Sequence, residues 1–189
     1  MRTITENIIL PEGQFKAQLD IFENQDRTTL KRIYNRWREL SNELKKINSR
    51  AINIPEGLSE GAFALTMGVG RFIQLIPKSS KANTSFDCYS INNKKRIQIK
   101  ASSVQFDLSS FGPSSQWDEL YFIDFYKNGE WQGDYDIYLI PDYLIYRQNV
   151  NRKQTFIQQQ NQTRRPRFSI KKKIILENKI SPISSDQLF

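Results

Sequence analysis

The sequence predicts an α/β or α+β fold, one mixed central sheet flanked by helices. Three observations predict it. Residues 26–48 carry apolar side chains at three- and four-residue steps. Residues 85–91 and 96–102 alternate with a period of two around a polar turn. Two aromatic-rich runs, ELYFIDFY (119–126) and YDIYLI (135–140), have the length and composition of further strands.

Taken in order, the first helix is expected over 26–48, with Asp26 as its cap. Leu30, Ile33, Trp37, Leu40, Leu44 and Ile47 form its apolar stripe, which fits a core or a subunit interface, and Asn48 and Ser49 end it. A second helix is expected within INIPEGLSEGAFALTMGVGRF (52–72), opened by Pro55 and ended by Gly68 and Gly70. Glu56 and Glu60 then share one face. Its GxG follows a helix and lacks a third glycine, so it is not a dinucleotide fingerprint. Asn92-Asn93-Lys94-Lys95 joins the two strands of a hairpin. In the second strand, RIQIKASS, Ile97, Ile99 and Ala101 face inward, while Arg96, Gln98 and Lys100 face outward. DLSSFGPSSQWDE (107–119) reads as a loop, PDYLIYRQ (141–148) as a short helix, and TFIQQQNQTRRPRFS (155–169) as a polar, basic stretch that need not be ordered alone. Ser169 is placed to cap a last helix, IKKKIILENK.

Composition narrows the chemistry. The 189 residues include no histidine, which removes serine–histidine and cysteine–histidine catalysis and imidazole zinc sites. Carboxylates, lysine and a divalent metal survive that exclusion. The single cysteine, Cys88, permits no internal disulfide and no cysteine zinc cluster, and reads as a small buried hydrophobe. The hydrophobic stretch at the start is too short for a leader or a membrane span, so a cytoplasmic protein with no membrane association is expected. The net charge of +8 is lopsided: ten cations from Arg147 onward face only Glu177 and Asp186. A neutral body with a basic end suits a polyanion such as nucleic acid.

Three elements meet the needs of metal-assisted phosphodiester chemistry. Asp87 stands in the first hairpin strand. Pairing about residues 93–94 sets it opposite roughly Lys100, with Gln98 offering an amide oxygen beside it. A helix carboxylate, Glu60 first and Glu56 second, completes an oxygen-ligand set for Mg²⁺. From spacing alone, an acid, a turn and a polar-x-Lys strand also fit an ordinary solvated sheet face.

The stretch SFDCYS…RIQIKAS resembles the active-site hairpin of the PD-(D/E)xK nuclease superfamily. IPEGLSEGAFAL, QIKASS, DLSSFGPSSQWDELYFIDF, YDIYLI and RRPRFSIKK, in this order, resemble the small type II restriction endonucleases that cut GCNGC sites, over roughly residues 36–180. The resemblance implies a single nuclease domain over 1–189, with 52–140 as catalytic core and 147–175 as basic DNA-binding segment. It implies a homodimer that cleaves palindromic duplex DNA with Mg²⁺, alongside a cognate DNA methyltransferase. By motif match Asp87 is the metal-binding acid, Gln98 takes the second acidic position, Lys100 is the catalytic lysine and Glu60 is the helix glutamate. Gln98 departs from the superfamily pattern, and Glu60 is the residue placed to restore the missing charge.

Reading G·C pairs calls for arginine on guanine and an acid on the cytosine amino group. Arg164, Arg165 and Arg167 form the strongest arginine cluster, and Asp118 and Glu119 stand beside Trp117. Ser109, Ser110, Ser114 and Ser115 suit phosphate or base contacts, and Lys171, Lys172 and Lys173 suit the backbone. For Trp117 a place in the core is the plainer reading. Two alternatives share these features: a structure-selective nuclease of the resolvase or repair type, and a DNA-binding protein whose site is inactive. A methyltransferase lacks support, because no glycine-rich cofactor loop is present.

Overall fold

The computed structural model describes all residues, Met1–Phe189. The strands are β1 (Arg2–Leu10), β2 (Gly13–Ile21), β3 (Gly70–Leu75), β4 (Cys88–Ser90), β5 (Lys95–Ser102), β6 (Ser109–Ser110), β7 (Glu119–Asp124), β8 (Asp134–Ile140), β9 (Arg167–Phe168) and β10 (Ser184–Gln187). The helices are α1 (Arg27–Lys46), α2 (Glu56–Met67), α3 (Asp142–Tyr146) and α4 (Phe156–Asn161). The expected mixed sheet flanked by helices is present, in an α+β arrangement. Eight strands run in the order β1-β2-β3-β4-β5-β7-β8-β10. Only β5 and β7 pair in parallel; the other neighbours are antiparallel. No helix is long and apolar enough to cross a membrane.

The sheet is covered on both faces, and β7 shows why its sequence is almost continuously apolar. Tyr121 and Ile123 join Ile97, Ile99, Tyr135 and Ile137 under α1 and α2. Leu120 and Phe122 face the other way, with Tyr138 and Ile140, against Phe111, Trp117, Ile145, Phe156 and Phe168. A smaller cluster, including Ile8, Leu19, Leu75, Phe86 and Tyr89, fills the β1–β3 end.

α1 and α2 lie close to their expected places. α2 begins after Pro55 and ends at Gly68, whose φ of 65° is a left-handed cap that glycine adopts without strain. Asn48, also left-handed, stands just beyond the end of α1. Asp26 does not cap α1 with its side chain: its carboxylate accepts the Glu23 N–H (2.9 Å) in a preceding 3₁₀ turn. The α1 stripe divides. Leu30 and Trp37 enter the core, whereas Ile33, Leu40 and Ile47 stay exposed.

The N-terminal hairpin and β3 were not expected. Their signal is broken, because Glu6 stands on the inward row of β1 and Ile9 on the outward row. The 155–169 stretch, read as one that need not be ordered alone, is folded. Thr155 and Gln158 form a capping box for α4, and Phe156 is buried. Gln160 donates to the Gly112 carbonyl (3.3 Å), and β9 pairs with β6 in a second, two-stranded sheet. The last helix is a π-helical turn, Lys171–Leu176, with Ser169 Oγ accepting the Lys172 N–H (3.3 Å).

Phe168 anchors this appendage, stacked on Phe111 at 5.6 Å and edge-on to Phe156 at 6.4 Å. Phe168→Ala is expected to cost about 3–5 kcal/mol, the usual range for emptying a buried phenylalanine site. Urea unfolding checks it: the midpoint falls and the slope is unchanged.

Candidate active site

The site begins where β4 stops. The β4–β5 pairing runs Ser90↔Lys95, Tyr89↔Arg96, Cys88↔Ile97 and then ends. This register sets Asp87 level with Gln98, not with Lys100 as the sequence suggested, because the turn centres one residue earlier than expected. Asp87 N–H still donates to the Ile97 carbonyl (2.9 Å). Beyond it, the Ile99 N–H has no strand partner and donates to Asp87 Oδ2 (2.7 Å). The chain leaves the sheet at this point and opens a notch beside Ile99, Lys100 and Ala101.

That notch is a cleft of about 250 Å³. It is smaller than the usual pocket for a drug-sized ligand. Glu56, Ser59 and Glu60 of α2 line one side, Asp87, Ile99 and Lys100 the floor, and Asp107, Leu108, Ser109 and Ser110 the other side. Glu60, Asp87 and Lys100 are thus brought together, with Glu56 beside them. Asp107 escaped the sequence reading: it sits in an irregular loop, where periodicity carries no signal.

Gln98 departs from its expected role. It is 4% exposed, and its amide nitrogen donates to Asp87 Oδ2 and to the Ile99 carbonyl (3.4 Å). The register explains this. A buried carboxylate facing Gln98 takes a donor, not a second oxygen. Arg96, expected to face solvent, is buried as well.

Burial dominates the electrostatics. It pushes Glu60 from 4.5 to about 7, aided by the Asp87 charge and opposed by Arg71 and Lys100. It pushes Asp87 from 3.8 to about 6, against the Ile99 N–H and Lys100. Burial also pulls Lys100 down, while Asp87, Glu56 and Glu60 hold it up. The acids therefore lack compensating positive charge. Ser110 Oγ, on the cleft wall, is buried without a partner. This oxygen-rich, charge-deficient set fits a hard divalent cation. No three acids stand close enough to enclose an ion alone, a condition Mg²⁺ tolerates because it keeps several waters.

The candidate DNA-reading residues separate into two groups. Ser109 pairs with Phe168 and Ser110 with Arg167, so the two sequence motifs SSFG and RRPRF meet at the cleft. Arg164, Arg165 and Arg167 are exposed, and Arg165 is near enough to depress Lys100. The QWDE acids are engaged elsewhere. Asp118 binds Arg96 through the guanidinium (2.9 and 3.1 Å) and the backbone N–H (2.7 Å). Glu119 binds Lys95 (2.5 Å) and the Tyr121 hydroxyl (2.8 Å). They sit just before and at the start of β7, next to β5, where buried Arg96 and half-exposed Lys95 claim them. Trp117 is buried and donates to Asp142 (2.7 Å). Lys171 pairs with Asp124 (2.6 Å), Lys173 with Glu177 (3.2 Å), and Lys172 stays exposed. The loop past Gly112 carries Ser114, whose carbonyl accepts from Asn83 (2.8 Å), and Ser115, and neither lines the cleft.

Comparison with known proteins meets this geometry. A family model described as Bsp6I restriction endonuclease matches residues 22–177. The chain belongs to the Bsp6I restriction endonuclease family. The type II restriction enzyme Bsp6I of Bacillus sp. (strain RFL6) is 34% identical over 158 residues, 83% of this chain and 85% of that one. No solved structure matches. Membership of the family makes the chain a type II, site-specific deoxyribonuclease acting on double-stranded DNA. Every cleft residue from Glu56 to Ser110 and all three exposed arginines lie inside the matched span.

The raised carboxyls fix a sign for stability without metal. Asp87 and Glu60 hold protons in the folded state that the unfolded chain has already lost above about pH 4. Their favourable contribution is full below that pH and disappears as the pH rises through 6 to 7. In EDTA, the Tm of the wild type should fall from pH 5 to pH 8 relative to the double variant Asp87→Asn/Glu60→Gln. Parallel curves would show that the two acids are not desolvated. Added divalent cation should raise the wild-type Tm at pH 8 and leave the double variant unmoved.

Proposed function

We propose that this protein hydrolyses phosphodiester bonds of duplex DNA with Mg²⁺, at a short palindromic G/C-containing site of the GCNGC kind. The observation that carries the reading is one cleft holding Glu60, Asp87 and Lys100 beneath the arginine-bearing β9. In this reading Asp87 and Glu60 hold the ion through carboxylate oxygens, with Glu56 in reserve. When bound, the ion supplies Lewis-acid charge against the scissile phosphate. Gln98 is a positioning residue, keeping the Asp87 carboxylate aimed into the cleft. Lys100 Nζ donates to the phosphate as its charge grows, and Ser109 and Ser110 offer hydroxyls to its flanks. Arg164, Arg165 and Arg167 supply cations for the backbone and forked donors for guanine.

A palindrome calls for a twofold reader, so a homodimer belongs to the reading. The exposed Ile33, Leu40 and Ile47 of α1 support it, being an apolar stripe that the chain itself leaves uncovered. A host making such an enzyme needs its own sites protected. A cognate DNA methyltransferase and a cytoplasmic location complete the proposal.

Purified protein with unmethylated phage DNA and Mg²⁺ should give discrete fragments whose ends share one short motif, and EDTA should abolish them. Smearing, or cutting only at branched DNA, would favour a structure-selective nuclease; intact DNA that still shifts on a gel would mark an inactive binder. Lys100→Ala should slow cleavage by about 10²–10³-fold, the scale of losing one charge-stabilising donor. Arg165→Ala should reduce the slope of log affinity against log salt by about 1, the signature of one lost phosphate contact.

A further inference from the structure

We propose that the loop from Val104 to Leu108 is a wedge that inserts apolar side chains into the DNA beside the scissile phosphate. The proposal rests on the reading of the cleft as the phosphate site. It follows Lys100 in the chain by only a few residues, and its own Asp107 and Leu108 line the cleft.

Three side chains in this loop are apolar and uncovered: Val104 is 36% exposed, Phe106 39% and Leu108 62%. An apolar residue at every second position, Leu108 mostly and Val104 and Phe106 partly open to water, is a cost unless something covers them. Phe106 also has a φ of 57°, a left-handed conformation that bulky residues rarely adopt. Strain of this kind persists where the surroundings impose it, and it concentrates at functional sites.

The loop is held at both ends. At one end, Trp131 Nε1 donates to the Ser103 carbonyl (2.6 Å) and Ser102 Oγ to the Val104 carbonyl (2.6 Å). At the other, Ser109 and Ser110 are paired with β9. A rigid base holds an apolar tip, so little conformational entropy remains to be lost on insertion.

Charge identifies the occupant. The Lys172 ammonium lies 5.7 Å above the Phe106 ring, and exposed Arg167 is the cross-strand partner of Ser110 on the cleft wall. An apolar tip with a cation over its ring matches a base step beside a phosphate backbone. A second protein copy would be a poor match, since its own basic segment would meet this one.

The test uses duplexes built on the site read from wild-type fragment ends, with 2-aminopurine replacing one base at a time. Fluorescence is read on binding of Lys100→Ala, which keeps the DNA intact. Unstacking next to the cut should raise the signal several-fold. Adding Phe106→Ser should remove that rise while gel-shift affinity stays measurable, and Phe106→Leu should restore it. In the otherwise wild-type enzyme, Phe106→Ser should slow cleavage by about 10²-fold through misplacement of the phosphate. No rise at any position, or a rise that survives Phe106→Ser, overturns the wedge. A loss of dimer in sedimentation by Phe106→Ser would assign the loop to a protein interface and overturn it too. If Lys100→Ala itself cuts as fast as wild type, the reading of the cleft fails, and the 2-aminopurine signal still decides the wedge separately.

Discussion

Asp87 stands where β4 parts from β5, and its carboxylate accepts the Ile99 N–H that a longer β4 would have taken. A backbone donor buried without a partner costs free energy comparable to a lost hydrogen bond, so a strand cannot simply stop inside a sheet. Here an acidic side chain completes the ladder. That substitution opens the notch, orients Asp87 and sets Lys100 on the floor of the same opening. The helix that carries Glu60 packs over the adjoining face, with Leu58, Ala62 and Phe63 in the same cluster as Ile97 and Ile99. Remove the early end of β4 and the acids and the lysine would face sheet, not solvent.

The electrostatics follow from that geometry. Two carboxyls and an ammonium are held where water is scarce, and each is shifted toward its neutral form by burial. A folded chain in this state stores an unfavourable charge arrangement that a cation relieves, which couples metal affinity to stability. Arg71, paired with Asp20 at 2.6 Å, adds a fixed positive charge behind Glu60 and limits the excess.

The sequence disclosed the parts of the site that lie on regular elements. Asp87, Lys100 and Glu60 stand on a hairpin and a helix whose periodicities are intact, so their convergence was legible. Asp118, Glu119 and Lys171 show the limit: a charged residue in a promising motif looks the same whether its partner is DNA or a neighbouring strand. Only the β5–β7 register reveals that Arg96 and Lys95 claim those acids. The pairing of Asp87 was misread for a related reason, since a one-residue change in the turn puts Gln98 and not Lys100 opposite it. The N-terminal hairpin and the β6–β9 pair were invisible because the first breaks its alternation and the second is only two residues per strand, too short for any period to register.

The short β6–β9 pair has a consequence for how such an enzyme changes its target. Ser110 and Arg167 are cross-strand partners, so the wall of the cleft and the arginine segment form one mechanical piece, braced by Phe111 and Phe168. Grafting RRPRF alone from a relative with different base preference would mismatch its pairing and tilt the hydroxyls at the cleft. The smallest transferable unit is the SSFG and RRPRF segments together. In this scaffold the cleft wall and the arginine segment keep their register only when they are exchanged as a pair.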